Sequence, residues 1–148
     1  MKSEPDECSV DDALEMPDHV VPWFGVRNYQ ARNFMRDAMR IGDGVLFYHS
    51  SCPEPGIAGI ARVASGVRPD PTQFDPASVY HDPASRPEKP RWSAVDVRHV
   101  ETFPRVIPLA ELKANPALSE LEVVRKGSRL SVMPVTPAQW RAVLKMLG

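Results

Sequence analysis

Proline is the residue that most restricts how this chain can fold, since sixteen of its 148 residues are proline, about twice the average share of ~5%. Proline fixes φ and lacks a backbone N–H, so it interrupts helices and is kept out of central strands. Because the prolines are scattered, they predict short elements joined by loops rather than a low-complexity linker. Six of them fall between residues 69 and 91, which predicts a long excursion with little regular structure. Loops of that length are often functional.

The composition is that of one globular domain, residues 1–148, with 43% apolar and 25% charged residues. No apolar run approaches the ~20 residues that span a bilayer, and the start of the chain lacks a signal-peptide pattern. The two cysteines, Cys8 and Cys52, cannot form a disulfide framework, which favours a reducing compartment. We therefore expect a cytoplasmic protein without a membrane partner.

Charge is distributed unevenly along the chain. Residues 1–20 contain seven acidic side chains and one lysine, whereas the remaining residues contain 12 acidic and 17 basic side chains. A basic body with a small acidic lobe is compatible with a nucleic-acid partner, although many enzymes have the same distribution.

Helix signals are clear at three places. Ser9 and Asp12 have capping-box spacing and predict a short helix to about Met16. Apolar residues at helical spacing predict a helix over 29–40, with Asn28 as N-cap and Gly42 at its end. Thr136, followed by Pro137, predicts the start of a final helix. A further short helix is expected over 108–115, and strands are expected over 45–50, 57–67, 92–103 and 129–135. This pattern predicts a small α+β fold around a barrel-like mixed sheet.

Motifs for metal and cofactor chemistry are missing. The four histidines and two cysteines form neither a CxxC pair nor HExxH, and the chain has no GxSxG, GxxxxGK[ST] or GxGxxG. We expect no metal and no cofactor. His49 could act as a base, but a histidine at a strand end is more often a hydrogen-bonded structural group.

One region combines aromatic and polar residues in a way that a core does not require. Trp23 and Phe24 lie in a predicted loop before a helix start, where the N–H groups of Val26, Arg27 and Asn28 would point outward. A helix N-terminus beside an indole can hold a flat ligand with an anionic group.

Strand alternation adds hydroxyl groups and an arginine to this predicted pocket. It places Tyr48 and Ser50 on one face and His49 on the other, and it separates Arg129 and Ser131 from the apolar face of their strand. The alternative is that Trp23 and Tyr48 are core residues and that the arginines are solvated.

Several segments resemble the EVE domain family, in order and over essentially the whole chain. They are MKSEPDE at 1–7, WFGVRNYQARN at 23–33, VLFYHS at 45–50, PDPTQFDP at 69–76, PRW at 90–92 and GSRLSV at 127–132. The resemblance implies a PUA-like fold, a mixed β pseudo-barrel flanked by short helices. It also implies a pocket that takes 5-methylcytosine, 5-hydroxymethylcytosine or a similar modified base in DNA or RNA.

The resemblance assigns roles to individual residues. It implies that Trp23 stacks on the base, that Ser3, Asn28 and Ser50 address its polar edge, and that Lys2, Arg27, Arg32 and Arg129 meet phosphate or line the approach. Val26, Tyr48, His49 and Ser131 complete the predicted binding set. Arg32, Arg36 and Arg40 recur every four residues and could track phosphates, with a plain solvated helix face as the alternative.

The function predicted is therefore a non-catalytic module that binds nucleic acid. A hydrolase on the same scaffold is one alternative, although the GxKxxExR signature of the related ASCH enzymes is missing. A protein that binds a small nucleotide or metabolite is the other. Family members usually begin several residues earlier, so either the start codon is called late or the first strand is shortened, which would leave an edge of the sheet unpaired. We expect a monomer or weak dimer.

Overall fold

Six strands form one mixed sheet in the computed structural model, which describes residues 1–148. The strands are β1 (Lys2–Ser3), β2 (Val20–Trp23), β3 (Gly44–His49), β4 (Gly56–Val63), β5 (Arg68–Pro69) and β6 (Ser93–Pro108). Their order is β1-β3-β4-β6-β2, and β5 pairs with β6. The β1–β3 pair is parallel and the other pairs are antiparallel. The predicted α+β class is confirmed.

Five short helices accompany the sheet, and the three predicted N-caps are present, whereas Gly42 does not end its helix. The helices are α1 (Pro5–Cys8), α2 (Val10–Glu15), α3 (Tyr29–Asp37), α4 (Leu109–Ala114) and α5 (Pro137–Lys145). Ser9 and Thr136 each form a complete capping box, and the Asn28 side chain accepts a hydrogen bond from the N–H of Ala31. Four 3₁₀ turns cover Pro17–His19, Pro71–Phe74, Pro116–Leu118 and Glu122–Val124.

Two predicted elements extend too far. α3 ends at Asp37 rather than at Arg40, because the Asp43 side chain accepts a hydrogen bond from the N–H of Arg40 and holds a turn there. β4 ends at Val63 rather than near residue 67, since the N–H of Asp96 on the neighbouring strand donates to the Ser65 hydroxyl at 2.8 Å instead of to a backbone carbonyl.

One predicted strand is absent, and two observed strands, β2 and the two-residue β5, were not predicted. The 129–135 segment is not a strand, because its one backbone bond to β1 is the 2.8 Å bond from the N–H of Lys2 to the Ser131 carbonyl. The expected loop before Gly25 instead contains β2, which pairs with β6. β2 accommodates Pro22 because it lies at the edge of the sheet, where a missing N–H is tolerated.

The core consists of two apolar clusters. The larger packs α2 and α3 against the sheet around Phe47, Met35 and Val97, and the smaller packs α4 and α5 against it around Ile107 and Leu112. Side chains of β3 enter both clusters, with Phe47 in the first and Tyr48 in the second. β3 therefore ties the two halves of the core together.

The proline-rich segment between β5 and β6 is held by side-chain hydrogen bonds. Gln73 is fully buried, and its Nε2 donates to the carbonyls of Asp70 (2.7 Å) and Trp92 (2.9 Å). Its Oε1 accepts from the Ser85 hydroxyl at 2.6 Å and from the N–H groups of Arg91 and Trp92. The prediction of little regular structure holds for most of this segment. The side-chain amide of Gln73 nevertheless fixes both of its ends.

Candidate functional site

A cleft with a volume of about 390 Å³ lies beside the N-terminal strand and the turn after β2. Five separate parts of the chain meet there: the start of the chain, the 21–26 segment, the residue after β3, the proline-rich segment and the segment before α5. The lining residues are Lys2, Ser3, Glu4, Glu7, Cys8, Val21, Pro22, Trp23, Phe24, Gly25, Val26, Ser50, Tyr80, Arg129 and Ser131.

Trp23 lines the cleft but belongs mainly to the core. It is the last residue of β2, opposite Val95 of β6, and its ring meets Phe47 edge-on with centroids 5.4 Å apart. Only 7% of its surface is exposed. A ligand in the cleft can therefore contact only a small part of the indole.

β1 explains how residues that are distant in sequence reach one cleft. On one side it pairs with β3, and the N–H of Ser50 donates to the Ser3 carbonyl at 2.9 Å. On its other side, the N–H of Lys2 donates to the Ser131 carbonyl. The predicted alternation is correct, since Leu130 is buried in the core while Ser131 lines the cleft.

The cleft combines hydroxyl groups with two cations. Lys2 and Arg129 both line it, and partial burial lowers the pKa of the Lys2 ammonium. The Ser3 hydroxyl donates to the carbonyl of Cys8 at 2.6 Å, which orders the start of the chain around α1. Burial also raises the pKa of the Cys8 thiol, which disfavours the reactive thiolate form.

Arg27 does not line the cleft but fixes one of its walls. Its guanidinium donates to Asp70 Oδ2 at 3.0 Å, to the Thr72 hydroxyl at 3.1 Å and twice to the Tyr80 carbonyl. Asp70 is fully buried and also accepts from the N–H of Gly25 at 2.8 Å. This pair joins the turn after β2 to the proline-rich segment.

Tyr80 and Glu7 are lining residues that sequence reasoning missed. The Tyr80 hydroxyl donates to Glu7 Oε1 at 2.6 Å, and burial with this bond raises the pKa of Tyr80 to about 12. The Tyr80 ring lies so close to Gly25 (φ +83°) that a Cβ there would be 2.6 Å from the ring carbon Cζ. The length of the proline-rich segment was the available signal, but it could not indicate which of its residues faces the cleft.

Three of the predicted binding residues have their side chains in other contacts. Asn28 caps α3, and Tyr48 is buried in the smaller apolar cluster. His49 Nε2 accepts a hydrogen bond from the N–H of Val10 at 3.0 Å, the structural role that was the alternative for it. Burial lowers the pKa of His49, in keeping with a neutral ring.

The two predicted phosphate contacts on α3 lie outside the cleft lining. Arg32 donates to the Arg91 carbonyl at 2.7 Å and lies over the Tyr29 ring, 4.7 Å from its centroid. Arg36 pairs with Asp37 at 3.0 Å, and both side chains are about half exposed. Both arginines lie at the surface without facing the cleft.

The cleft places serine hydroxyl groups and two cations beside the small exposed part of the Trp23 indole, an arrangement that can form hydrogen bonds with a polar ligand. No group of three or more His, Cys, Asp or Glu residues is placed to hold a metal ion. None of the helices has the length and apolar character needed to cross a membrane.

Comparison with known proteins identifies the fold and its relatives. The EVE domain profile matches residues 1–146. Human thymocyte nuclear protein 1 (THYN1) is 40% identical over 162 aligned residues, which cover 99% of this chain and 72% of that protein. A crystal structure of a Pseudomonas putida protein is 57% identical, with a TM-score of 0.96 over 100% of this chain and 97% of that one. The crystal structure of human THYN1 in complex with DNA containing 5-methylcytosine has a TM-score of 0.94 at 40% identity, over 99% of this chain and 95% of that one. With a family match and a common fold over nearly its whole length, this chain belongs to the EVE domain family.

Proposed function

We propose that this protein binds nucleic acid and reads a modified base of the 5-methylcytosine or 5-hydroxymethylcytosine type in the cleft. The observation that carries the proposal is the complex of human THYN1 with DNA that contains 5-methylcytosine, because that protein shares this fold at 40% identity. The shape and composition of the cleft support it. A base taken out of its stack is held by an aromatic surface and by hydrogen bonds to its Watson–Crick edge.

Trp23, Ser50 and Ser131 contact the base in this proposal, and Lys2 and Arg129 meet the phosphate backbone. Stacking contributes roughly 1–3 kcal/mol per base, and the small exposed fraction of Trp23 places this cleft near the lower end. A methyl group adds about 0.8 kcal/mol when it is buried. Discrimination between cytosine and 5-methylcytosine should therefore be modest, a few-fold in Kd.

The remaining predicted residues have supporting roles. Arg27 and Asn28 hold the turn that carries Val26, while Tyr48 and His49 fix the end of β3 before Ser50. Arg32 and Arg36 extend the basic surface beyond the cleft along the phosphate backbone.

We further propose that the cleft binds its ligand without catalysis. The Nε2 atom of His49, the histidine next to Ser50, is already engaged by the N–H of Val10, and the Ser3 hydroxyl is engaged by the Cys8 carbonyl, so neither forms a nucleophile–base pair. The protein would act as a monomer or weak dimer. We propose a cytoplasmic location, which is in keeping with the two free cysteines.

The test is a titration with single-stranded DNA and RNA oligomers that differ only in one central base: cytosine, 5-methylcytosine, 5-hydroxymethylcytosine or N6-methyladenine. We expect tighter binding of one modified cytosine. Arg129→Ala should weaken binding and reduce the slope of log K against log salt by about 0.7, the value for one phosphate contact on a single strand. The matched control is Arg125→Ala, an exposed arginine that pairs with Glu122 and does not line the cleft. Equal binding of all oligomers by the unmodified protein would refute a modified-base reader.

A further inference from the structure

The cleft contains two carboxylates that a phosphate-binding surface does not need. Glu4 and Glu7 line it together with Lys2 and Arg129. A carboxylate repels the phosphates of a nucleic acid and can only accept hydrogen bonds when it is ionised. A carboxylate in a cleft that binds a base therefore indicates a hydrogen-bond donor on the ligand.

Of the two carboxylates, Glu7 is held in position and Glu4 is not. The Tyr80 hydroxyl donates to Glu7 Oε1 at 2.6 Å, whereas the Glu4 side chain forms no hydrogen bond. Tyr80 is itself fixed, because its carbonyl accepts two bonds from Arg27, at 3.1 and 2.8 Å, and its ring packs against the backbone at Gly25. Glu7 Oε2 has no partner in the protein and is free to accept one from a ligand.

The pyrimidine bases differ at the position that such a carboxylate can read. Cytosine and 5-methylcytosine carry an N4 amino group, a donor, where thymine and uracil carry the O4 acceptor. Glutamate is a side chain that accepts a hydrogen bond from cytosine N4. Methyl recognition cannot make this distinction, because 5-methylcytosine and thymine carry the same methyl group.

We infer that Glu7, positioned by Tyr80, selects a pyrimidine with an exocyclic amino group and thereby rejects thymine and uracil. The inference depends on the proposed function and adds the residue that distinguishes its cytosine ligands from thymine and uracil. Glu7 Oε2 accepts the N4 hydrogen bond, and Tyr80 acts as the positioning residue. In a thymine complex, the O4 atom would instead face a carboxylate oxygen, and two acceptors would be left opposed.

The experiment compares two oligomers that differ only in a central 5-methylcytosine or thymine. We expect the unmodified protein to prefer 5-methylcytosine by about tenfold, within the range for one base contact. Glu7→Gln should remove most of this preference, because an amide can donate to O4 as well as accept from N4. Tyr80→Phe keeps the ring against Gly25 but frees the carboxylate, so it should reduce the preference partly.

The matched control is Asp6→Asn, which removes the same charge from the same helix at an exposed residue outside the cleft lining. It should change the affinity for both oligomers equally and leave their ratio unchanged. The inference would be overturned if the preference for 5-methylcytosine over thymine survived Glu7→Gln, or if Asp6→Asn reduced that preference to the same extent. The cytosine and 5-methylcytosine oligomers of the first titration then decide about the proposed function. If the protein still prefers 5-methylcytosine over cytosine, the proposed function stands and only the role of Glu7 fails. If the unmodified protein binds neither oligomer, both fail together.

Discussion

Replacing Asp70 by alanine tests the buried ion pair that joins the turn after β2 to the proline-rich segment. The change leaves the Arg27 guanidinium, 22% exposed, without its counter-charge, and it leaves the N–H groups of Gly25 and Thr72 without an acceptor. Removing one partner of a buried pair typically costs about 3–5 kcal/mol. Arg27 retains the Tyr80 carbonyl as an acceptor, so we expect a loss at the lower end, about 3 kcal/mol of the free energy of unfolding.

Urea unfolding followed by tryptophan fluorescence measures this loss, and Trp92, one of the three tryptophans, lies beneath the Arg27 guanidinium. A loss of 3 kcal/mol should lower Tm by roughly 10 °C in a domain of this size. Asp96→Ala is the matched control, since Asp96 pairs with Arg68 at 2.7 Å but both side chains are partly exposed, 29% and 38%. Such pairs contribute about 0–1 kcal/mol. Equal losses for the two variants would refute the argument that burial decides the strength of the Asp70 pair.

Three further predictions concern other elements. Gly25→Ala should lower the free energy of unfolding by at least 1–2 kcal/mol in urea titration and displace Tyr80, because its φ is +83° and a Cβ would overlap the ring. Burial lowers the pKa of His49 below its ordinary value of 6.5, so the unfolded chain takes up the proton more readily. The contribution of His49 to the free energy of unfolding should be fully present above pH 6.5 and should decline as the pH falls below it. Urea unfolding of the His49→Gln variant, measured over the same pH range, should show a smaller decline. Thr136→Ala removes the capping box of α5 and should cost about 1 kcal/mol, measured as a lower urea midpoint; an unchanged midpoint would contradict the assigned cap.

Local signals predicted four of the five helices, all but α1, and part of the cleft lining. Each of the caps at Ser9, Asn28 and Thr136 joins groups no more than four positions apart in the sequence, and each is present in the structure. Alternation along a strand placed Ser50 and Ser131 correctly even though the second segment forms no ladder, because an extended chain alternates its side chains with or without a partner strand.

Features that depend on distant contacts could not be read from the sequence. β2 exists because β6 pairs with it across more than 70 residues, and its proline argued against a strand. Glu7 meets Tyr80 across 73 residues, in a segment without periodicity. Asn28 and His49 were predicted as binding residues, whereas their side chains accept hydrogen bonds from the backbone N–H groups of Ala31 and Val10. A polar side chain near a cleft can serve either use, and the sequence cannot separate the two.

The side-chain amide of Gln73 holds the two ends of the proline-rich segment and so determines which of its positions can vary among proteins of this fold. Gln73 fixes Asp70 and Trp92 at the two ends, whereas the tip is free, with Val79 88% exposed. Side chains at the tip contact solvent rather than packed neighbours, so substitutions there cost little free energy of unfolding. Tyr80, one residue further on, is held by Arg27 and keeps its place. The exposed tip of the segment can thus vary while the wall of the cleft stays constant.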